Sequence, residues 1–502
     1  MPTVHVSVKP RSEPEVKEDV FATKMLANKL WNVDDQSTKQ NVTYKRYTKE
    51  EILDAMKAPS TTASAKLLRD ASIYMYDASS QYRRLIDYFA GLPLWAYVLS
   101  PVSYTRKKSN DSAFGKQYIK VSDKVESMNL KHELHKALKI TLREGILYGV
   151  IWSTPTSFCI QRINPDYCTI TSQLDGTWVY SVDMSKIREN QLEFYPPEFK
   201  TMYENYSVRK ESKWQEVPSA ISFCLKADET TVTYSIPPWC SCLPLLYDIE
   251  TYKALQETKS KIENYKLLAM HIPVHDHVPE VDWPIAEKYF RQMGNALPDY
   301  VGSVISPLEI KDFNFEKSGA INSIDIVSRA EEQYWFTTGT SPLLHGSKTA
   351  DNAGTLNLSI RSDEEIIRPL MVQAERLVNR LLKNDTATLK FKISFLPATV
   401  FNQKELIAYY KEAATLGLPG AKSAYAAILG ISPMELEGLN YLELDLMGLT
   451  EENLHPLKSG YTIGVGAKTD TVDTQKGAPE KDPEDLTESG QETRDAGSNA
   501  NR

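Results

Sequence analysis

Residues 320–382 read AINSIDIVSRAEEQYWFTTGTSPLLHGSKTADNAGTLNLSIRSDEEIIRPLMVQAERLVNRLL. Ile321, Ile324, Val327, Ala330, Tyr334 and Trp335 recur at three- and four-residue spacing, which predicts a helix over 319–337 with one packing face. Gly339, Pro342, Gly346 and Gly354 then punctuate a polar loop. A second long pattern over 356–383 contains Pro369, and a proline there predicts a kink at the preceding turn. The trio Tyr334, Trp335 and Phe336 could stack bases. Duplex bases are already stacked on one another, and the trio lies inside a helical pattern, so core or subunit packing is the expectation.

Upstream, Leu245, Ile249, Tyr252, Leu255, Ile262, Tyr265 and Leu268 predict a long two-faced helix over 245–270. The pattern breaks at Pro273, and a proline-rich excursion to about Leu308 predicts a small helix over 284–293 and a strand near 299–305. Downstream, Leu389, Phe391, Ile393 and Phe395 alternate with Lys390, Lys392 and Ser394, which predicts a half-buried strand. Short helices are expected over 402–416, 418–428 and 433–445, the last opened by Ser432-Pro433.

Residues 1–45 are polar and read as an extended arm. Thr48 followed by Glu51 is a capping box, and further helices are expected over 62–75, 79–90 and within 121–149. The period then drops to two. Strands are expected at 158–160, 167–171 and 177–182, with Asp175-Gly176 as a hairpin turn, and 221–225 with 231–236 as another hairpin. No repeated β-α-β rhythm is visible, so the fold class is α+β, mainly helical.

A 41% hydrophobic and 10% aromatic composition fills a real core across 502 residues. The net charge is -8, which argues against a protein that grips duplex DNA through a broad basic surface. From Lys468 onward nine acids face five bases, so half of that charge sits in a tail with few large apolar residues, expected to be disordered. Five cysteines do not make a disulfide framework, and a reducing cytoplasm is expected. No signal peptide and no window of 18 uncharged apolar residues is visible, so membrane insertion is not expected.

The search for chemistry returns little. His271, His275 and His277 lie near Asp276 and Glu280, a possible metal set, but in a polar proline-rich stretch that reads better as surface. Gly346-Ser347-Lys348-Thr349 departs from a phosphate loop by a serine between glycine and lysine, and a helical pattern precedes it. Cys240 and Cys242 read as buried small hydrophobes. No catalytic, cofactor or metal residues are assigned, and no enzyme activity or cofactor is expected.

The element order of residues 245–383 resembles the portal proteins of tailed bacteriophages, the head-to-tail connector family. The quoted segment carries the resemblance most sharply. SSQYRRLIDYFAGLPL at 79–94, INPDYCTITSQLDGTWVYSVD at 163–183 and ILGISPMELEGLNYLELD near the C-terminus extend it over most of 45–455. The resemblance rests on element order and not on an invariant motif. It implies an arm at 1–45, a wing at 46–244, a first stem helix at 245–273, a clip at 274–317 and a second stem helix at 318–338. A tunnel loop at 339–355, a kinked wing helix and strand at 356–400, a crown at 401–457 and a tail at 458–502 follow.

The resemblance further implies a homo-oligomeric ring, commonly dodecameric, at one capsid vertex of the virion, assembled in the host cytoplasm. Its partners would be double-stranded DNA in transit, the large terminase, a major capsid or scaffold protein, and a head-tail adaptor. Channel-facing residues would be His345, Lys348, Asn352 and Asn357 around the loop, with Lys259, Lys261 and Lys266 along the stem. Each lysine also reads as ordinary solvated exterior. Two alternatives remain: a multidomain nucleic-acid-processing enzyme whose carboxylates meet only in the fold, and a non-portal ring-forming tail or scaffold protein.

Overall fold

The computed structural model describes residues 47–102, 111–154, 157–263, 266–271, 274–275, 278–279, 281–296, 301–306, 323–340, 353–383 and 390–448. The chain divides into two compact units, Met1–Gly438 and Leu439–Arg502. In the second, the described residues form a π-helical turn over Tyr441–Leu446 that leaves Leu442, Leu444 and Leu446 exposed.

The first unit is α+β and mainly helical. Helix α1, Lys49–Lys57, opens on the expected capping box, with Thr48 and Glu51 satisfying each other's backbone N–H. Helices α2, Thr62–Ala78, and α3, Ser80–Gly91, follow, joined through Ser79, which ends one and caps the other. Strand β1, Tyr97–Val102, pairs antiparallel with a late strand, Lys390–Phe395.

The helical spacing read over 121–149 covers two helices and part of a strand. Helix α4 is Asp111–Ser127, α5 is Leu130–Glu144, and Ile146–Ser153 is strand β2. Gly145 makes the change of direction. Its φ is 83°, and a Cβ there would sit 2.5 Å from the backbone of Ile236, so only glycine fits. Strand β3, Phe158–Ile163, flanks β2 on one side. Strands β4, Cys168–Leu174, and β5, Thr177–Asp183, form the expected hairpin, with Asp175 and Gly176 both at positive φ, 55° and 71°. After helix α6, Glu198–Val208, strand β6, Trp214–Glu216, joins β5.

Strand β7, Ser222–Lys226, pairs with β2 rather than with 231–236, which carries no strand. Its C-terminal edge is closed by a side chain. Gln373 accepts from the Lys226 N–H at 3.1 Å and donates to the Lys226 carbonyl at 2.8 Å, taking the place a hairpin partner would have had.

Helix α7 is Leu243–Glu263, shorter than the 245–270 expectation. Residues Lys266–His271 form strand β8, paired in parallel with β11, Val301–Ser306. A parallel pair needs a crossover, and helix α8, Trp283–Ala296, supplies it, after the two-residue strands β9, Val274–His275, and β10, Val278–Pro279. Helix α9 is Ser323–Thr338, and the expected start at 319 lies outside the described residues. Helix α10, Ala353–Lys383, begins three residues before the expected 356 and continues through Pro369. Pro369 is on the exposed face, so the carbonyl it leaves without an N–H partner can turn to water.

Strand β12 is Lys390–Phe395, with Phe391 and Ile393 buried and Lys390 and Lys392 exposed, as the alternation predicts. Helices α11, Gln403–Thr415, α12, Ala421–Ile428, and α13, Pro433–Asn440, follow. The main core gathers α2, α3, α5, the start of α7, the end of α9 and the inner stripe of α10. No helix among the described residues is long and apolar enough to cross a membrane.

Candidate functional site: the paired helices and their root

Helices α7 and α9 pack side by side, rooted in the core at one end. The root begins at Trp239, whose ring stacks on Phe89 with centroids 4.5 Å apart and planes 28° from parallel. Its indole N–H donates to the carbonyl of Thr338 at 3.2 Å, tying the entry to α7 to the last residue of α9. The Thr338 hydroxyl donates to the Trp335 carbonyl at 2.7 Å and lies 2.8 Å from the Thr340 hydroxyl. Cys240 and Cys242 are buried in a short turn just before α7, and all five cysteines are unpaired.

Leu243, Leu246 and Ile249 bury the first two turns of α7. Tyr334 and Trp335 bury the last turn of α9, their rings edge-on at 4.8 Å. Burial pushes the Tyr334 phenol well above its ordinary pKa, so it stays neutral. Phe336 is 70% exposed, so the aromatic trio splits between core and surface. Farther out, Lys253 reaches Glu331 at 2.7 Å, which sets the two helices antiparallel. Lys49 also ties α1 to Asp248 on α7 at 2.5 Å.

The buried face of α10 holds three polar side chains besides its apolar stripe. Arg380 donates to the Thr177 hydroxyl at 2.6 Å and to the carbonyl and hydroxyl of Ser222 at 2.5 and 3.0 Å. Gln373 closes β7. Asp363 accepts from the Tyr88 hydroxyl at 2.9 Å. Burial raises the Asp363 carboxyl to about 6, with the Tyr88 bond pulling the other way and Glu364 adding to the rise.

The residues named for the channel are not gathered into one site among the described residues. Lys259 and Lys261 stand on the last turns of α7, while Lys266 stands on strand β8 and not on the first long helix. The apolar run 267–270 pairs with β11, and that pairing overrides its helical spacing. Asn357 is in the first turns of α10, with Gly354 and Thr355, which the loop reading had left outside the helix. His345, Lys348 and Asn352 lie outside the described residues, as do His277 and the stretch 346–349. No group of three or more His, Cys, Asp or Glu placed to hold a metal occurs among the described residues. Sequence reasoning missed the root. Trp239 bonds a backbone carbonyl, and a carbonyl leaves no residue-type signal to read.

No family model matches the chain, and no curated protein matches it. Solved structures similar to it include two particle necks. One is the "Neck of empty GTA particle computed with C6 symmetry", 14% identical, covering 69% of this chain and 94% of that one at a TM-score of 0.39. The other is the "Neck of native GTA particle computed with C12 symmetry", 13% identical, covering 69% and 93%, also at 0.39.

Proposed function

We propose that the chain is a structural subunit of a portal-type ring, through which viral DNA enters and leaves a capsid at one vertex of the virion. The observation that carries the reading is the helix pair. Helices α7 and α9 stand side by side, rooted through Trp239 and Thr338, with the β8–β11 excursion joining their outer ends. Beyond the root, Tyr252, Leu255 and Ile326 expose apolar surface, and within its turn so does Phe336. Leu358, Ile366 and Val372 do the same on the outer face of α10. A neighbouring copy placed by rotation would cover such faces and close a ring.

On this reading α7 and α9 are the stem, the excursion is the clip, and α10 is the wing helix below a crown built from α11 to α13. The ring is a dodecamer. Duplex DNA passes along its axis, the large terminase docks during packaging, a capsid or scaffold protein surrounds the wing, and a head-tail adaptor binds afterwards. A nearly neutral folded body suits DNA in transit, because tight phosphate binding would stall it. Lys259, Lys261 and Lys266 along the stem, and His345, Lys348, Asn352 and Asn357 around the loop, are the channel-facing candidates.

Negative-stain imaging of the purified chain tests the proposal in one view. A ring with a central hole wide enough for B-form DNA is expected; a closed monomer or a compact dimer overturns it. Removing residues 460–502 should leave ring formation intact.

A further inference from the structure

A cleft of about 340 Å³ opens between α2, the turn before β4, and the 232–235 segment, with no residue of α7 or α9 in its lining. Three charged residues line it: Arg69, Asp166 and Lys226. Both cations are nine-tenths buried or more, Arg69 at 8% and Lys226 at 0% exposure. Asp166 serves Arg69 and Lys66 together, and it is the only carboxylate in the lining. The lining itself therefore holds two cations to one carboxylate, with Asp70 and Asp228 acting from outside it.

Lys226 is the member with no carboxylate bonded to it. Its ammonium donates to the Thr231 hydroxyl at 3.1 Å and lies 5.5 Å from the centre of the Trp178 ring. Asp228 attracts it electrostatically and is bridged to it by Thr231, but Asp228 is exposed, is held by Thr230 and stands outside the lining. A buried ammonium whose hydrogen bond goes to a hydroxyl and not to a carboxylate is costly, and burial lowers its pKa despite the pull of Asp228. An anion seated above it would offset that cost. Arg69 gives Asp166 its Nη2, and a guanidinium carries five N–H donors, so it can also bind a second carboxylate. Trp214 and Val232 are exposed at the rim, and Ile146 and Ile170 add apolar wall.

We propose that this cleft binds one carboxylate carried on a small apolar body, with Arg69 as its hydrogen-bonding partner, Lys226 beneath it as charge partner and Trp214 covering the body. One excess charge favours a monoanion over a dianionic phosphate. The carboxylate comes either from a free small acid or from an acidic side chain beside an apolar one on a partner's segment. The site is independent of the ring reading, whose test reads symmetry and not ligand binding.

Calorimetric titration of the full chain with benzoate, with neutral benzamide, and with a blocked dipeptide of aspartate and leucine decides it. Saturable binding of benzoate or the dipeptide, without benzamide, is expected; whichever binds tighter names the source. Lys226→Met should weaken that binding by about tenfold or more. The same substitution should raise the thermal midpoint without ligand, so weaker binding is not read as unfolding. Arg69→Gln is the second variant, with the same expected loss should Lys226→Met fail to fold. Equal heats for benzoate and benzamide, no binding by either acid, or unchanged affinity in the variants overturns the site.

Discussion

Helices α10 and α7 begin from the same kind of sequence, a long two-faced pattern, and meet different surroundings. Along α10 the inner stripe is buried from Ile360 to Leu382, and the polar residues on that stripe have protein partners. Along α7 the last buried residue among the described side chains is Ile249, after which Tyr252 and Leu255 face outward. An amphipathic pattern therefore says that a helix needs a partner; the fold decides whether the same chain supplies it. In α10 the subunit supplies it from Ile360 to Leu382, and in α7, among the described side chains, at the root.

The sharpest way to break that contrast is to truncate one leucine in each helix. Leu377→Ala in α10 should cost about 2–5 kcal/mol of folding stability, because a buried leucine leaves a cavity behind. Leu255→Ala in α7, where the residue is 58% exposed, should change subunit stability by no more than about 0.5 kcal/mol. Denaturant titration of the dissociated subunit measures both. Equal losses would mean that the outer half of α7 is packed within one subunit. On the ring reading, Leu255→Ala should instead lower the yield of rings in negative stain.

Gln373→Ala sharpens the α10 side. It removes both hydrogen bonds to Lys226 and leaves a buried N–H and carbonyl at the end of β7, a loss of about 2–3 kcal/mol. Amide exchange at Lys226 should accelerate with it. A protected Lys226 amide in the variant would show that another group closes the edge.

Asp363 gives the pH dependence. Its folded pKa of about 6 lies above its ordinary 3.8, so between those values the folded chain holds the extra proton. The stability it contributes is complete below pH 3.8 and is lost as pH rises through 6. Asp363→Asn keeps the shape without the charge. The difference between variant and parent should therefore grow from near zero at low pH to on the order of 1–2 kcal/mol above pH 6. A flat difference would place the carboxylate in water.

What could be read beforehand was local. The Thr48–Glu51 box, the Asp175-Gly176 turn and the alternation from Lys390 to Phe395 each carry their structure in a few adjacent residues. What could not be read was set by distant partners. Lys266–His271 is apolar enough for either helix or strand, and Val301–Ser306, about 30 residues on, decides for strand. Residues 231–236 lose their hairpin because β2 and Gln373 already occupy β7. The candidate site divides the same way. The order of long helices was legible, while the Trp239–Thr338 tie and the Arg69–Lys226 cleft join residues about a hundred or more positions apart.

The smallest expected effect lies in the ion pair between α7 and α9, Lys253 to Glu331 at 2.7 Å. Both side chains keep more than a third of their surface in water, 47% and 36%, so solvent and salt screen the attraction. A double-mutant cycle with Lys253→Met and Glu331→Gln should give a coupling of about 0.2–1 kcal/mol, smaller at high salt. A coupling several times larger would require the pair to be buried. Within a subunit it is not, so such a value measured only in the assembled ring would locate a neighbour's surface against this stretch of α7 and α9. The same value in the dissociated subunit would instead put the outer helix pair on an equal footing with α10 and remove the contrast between them.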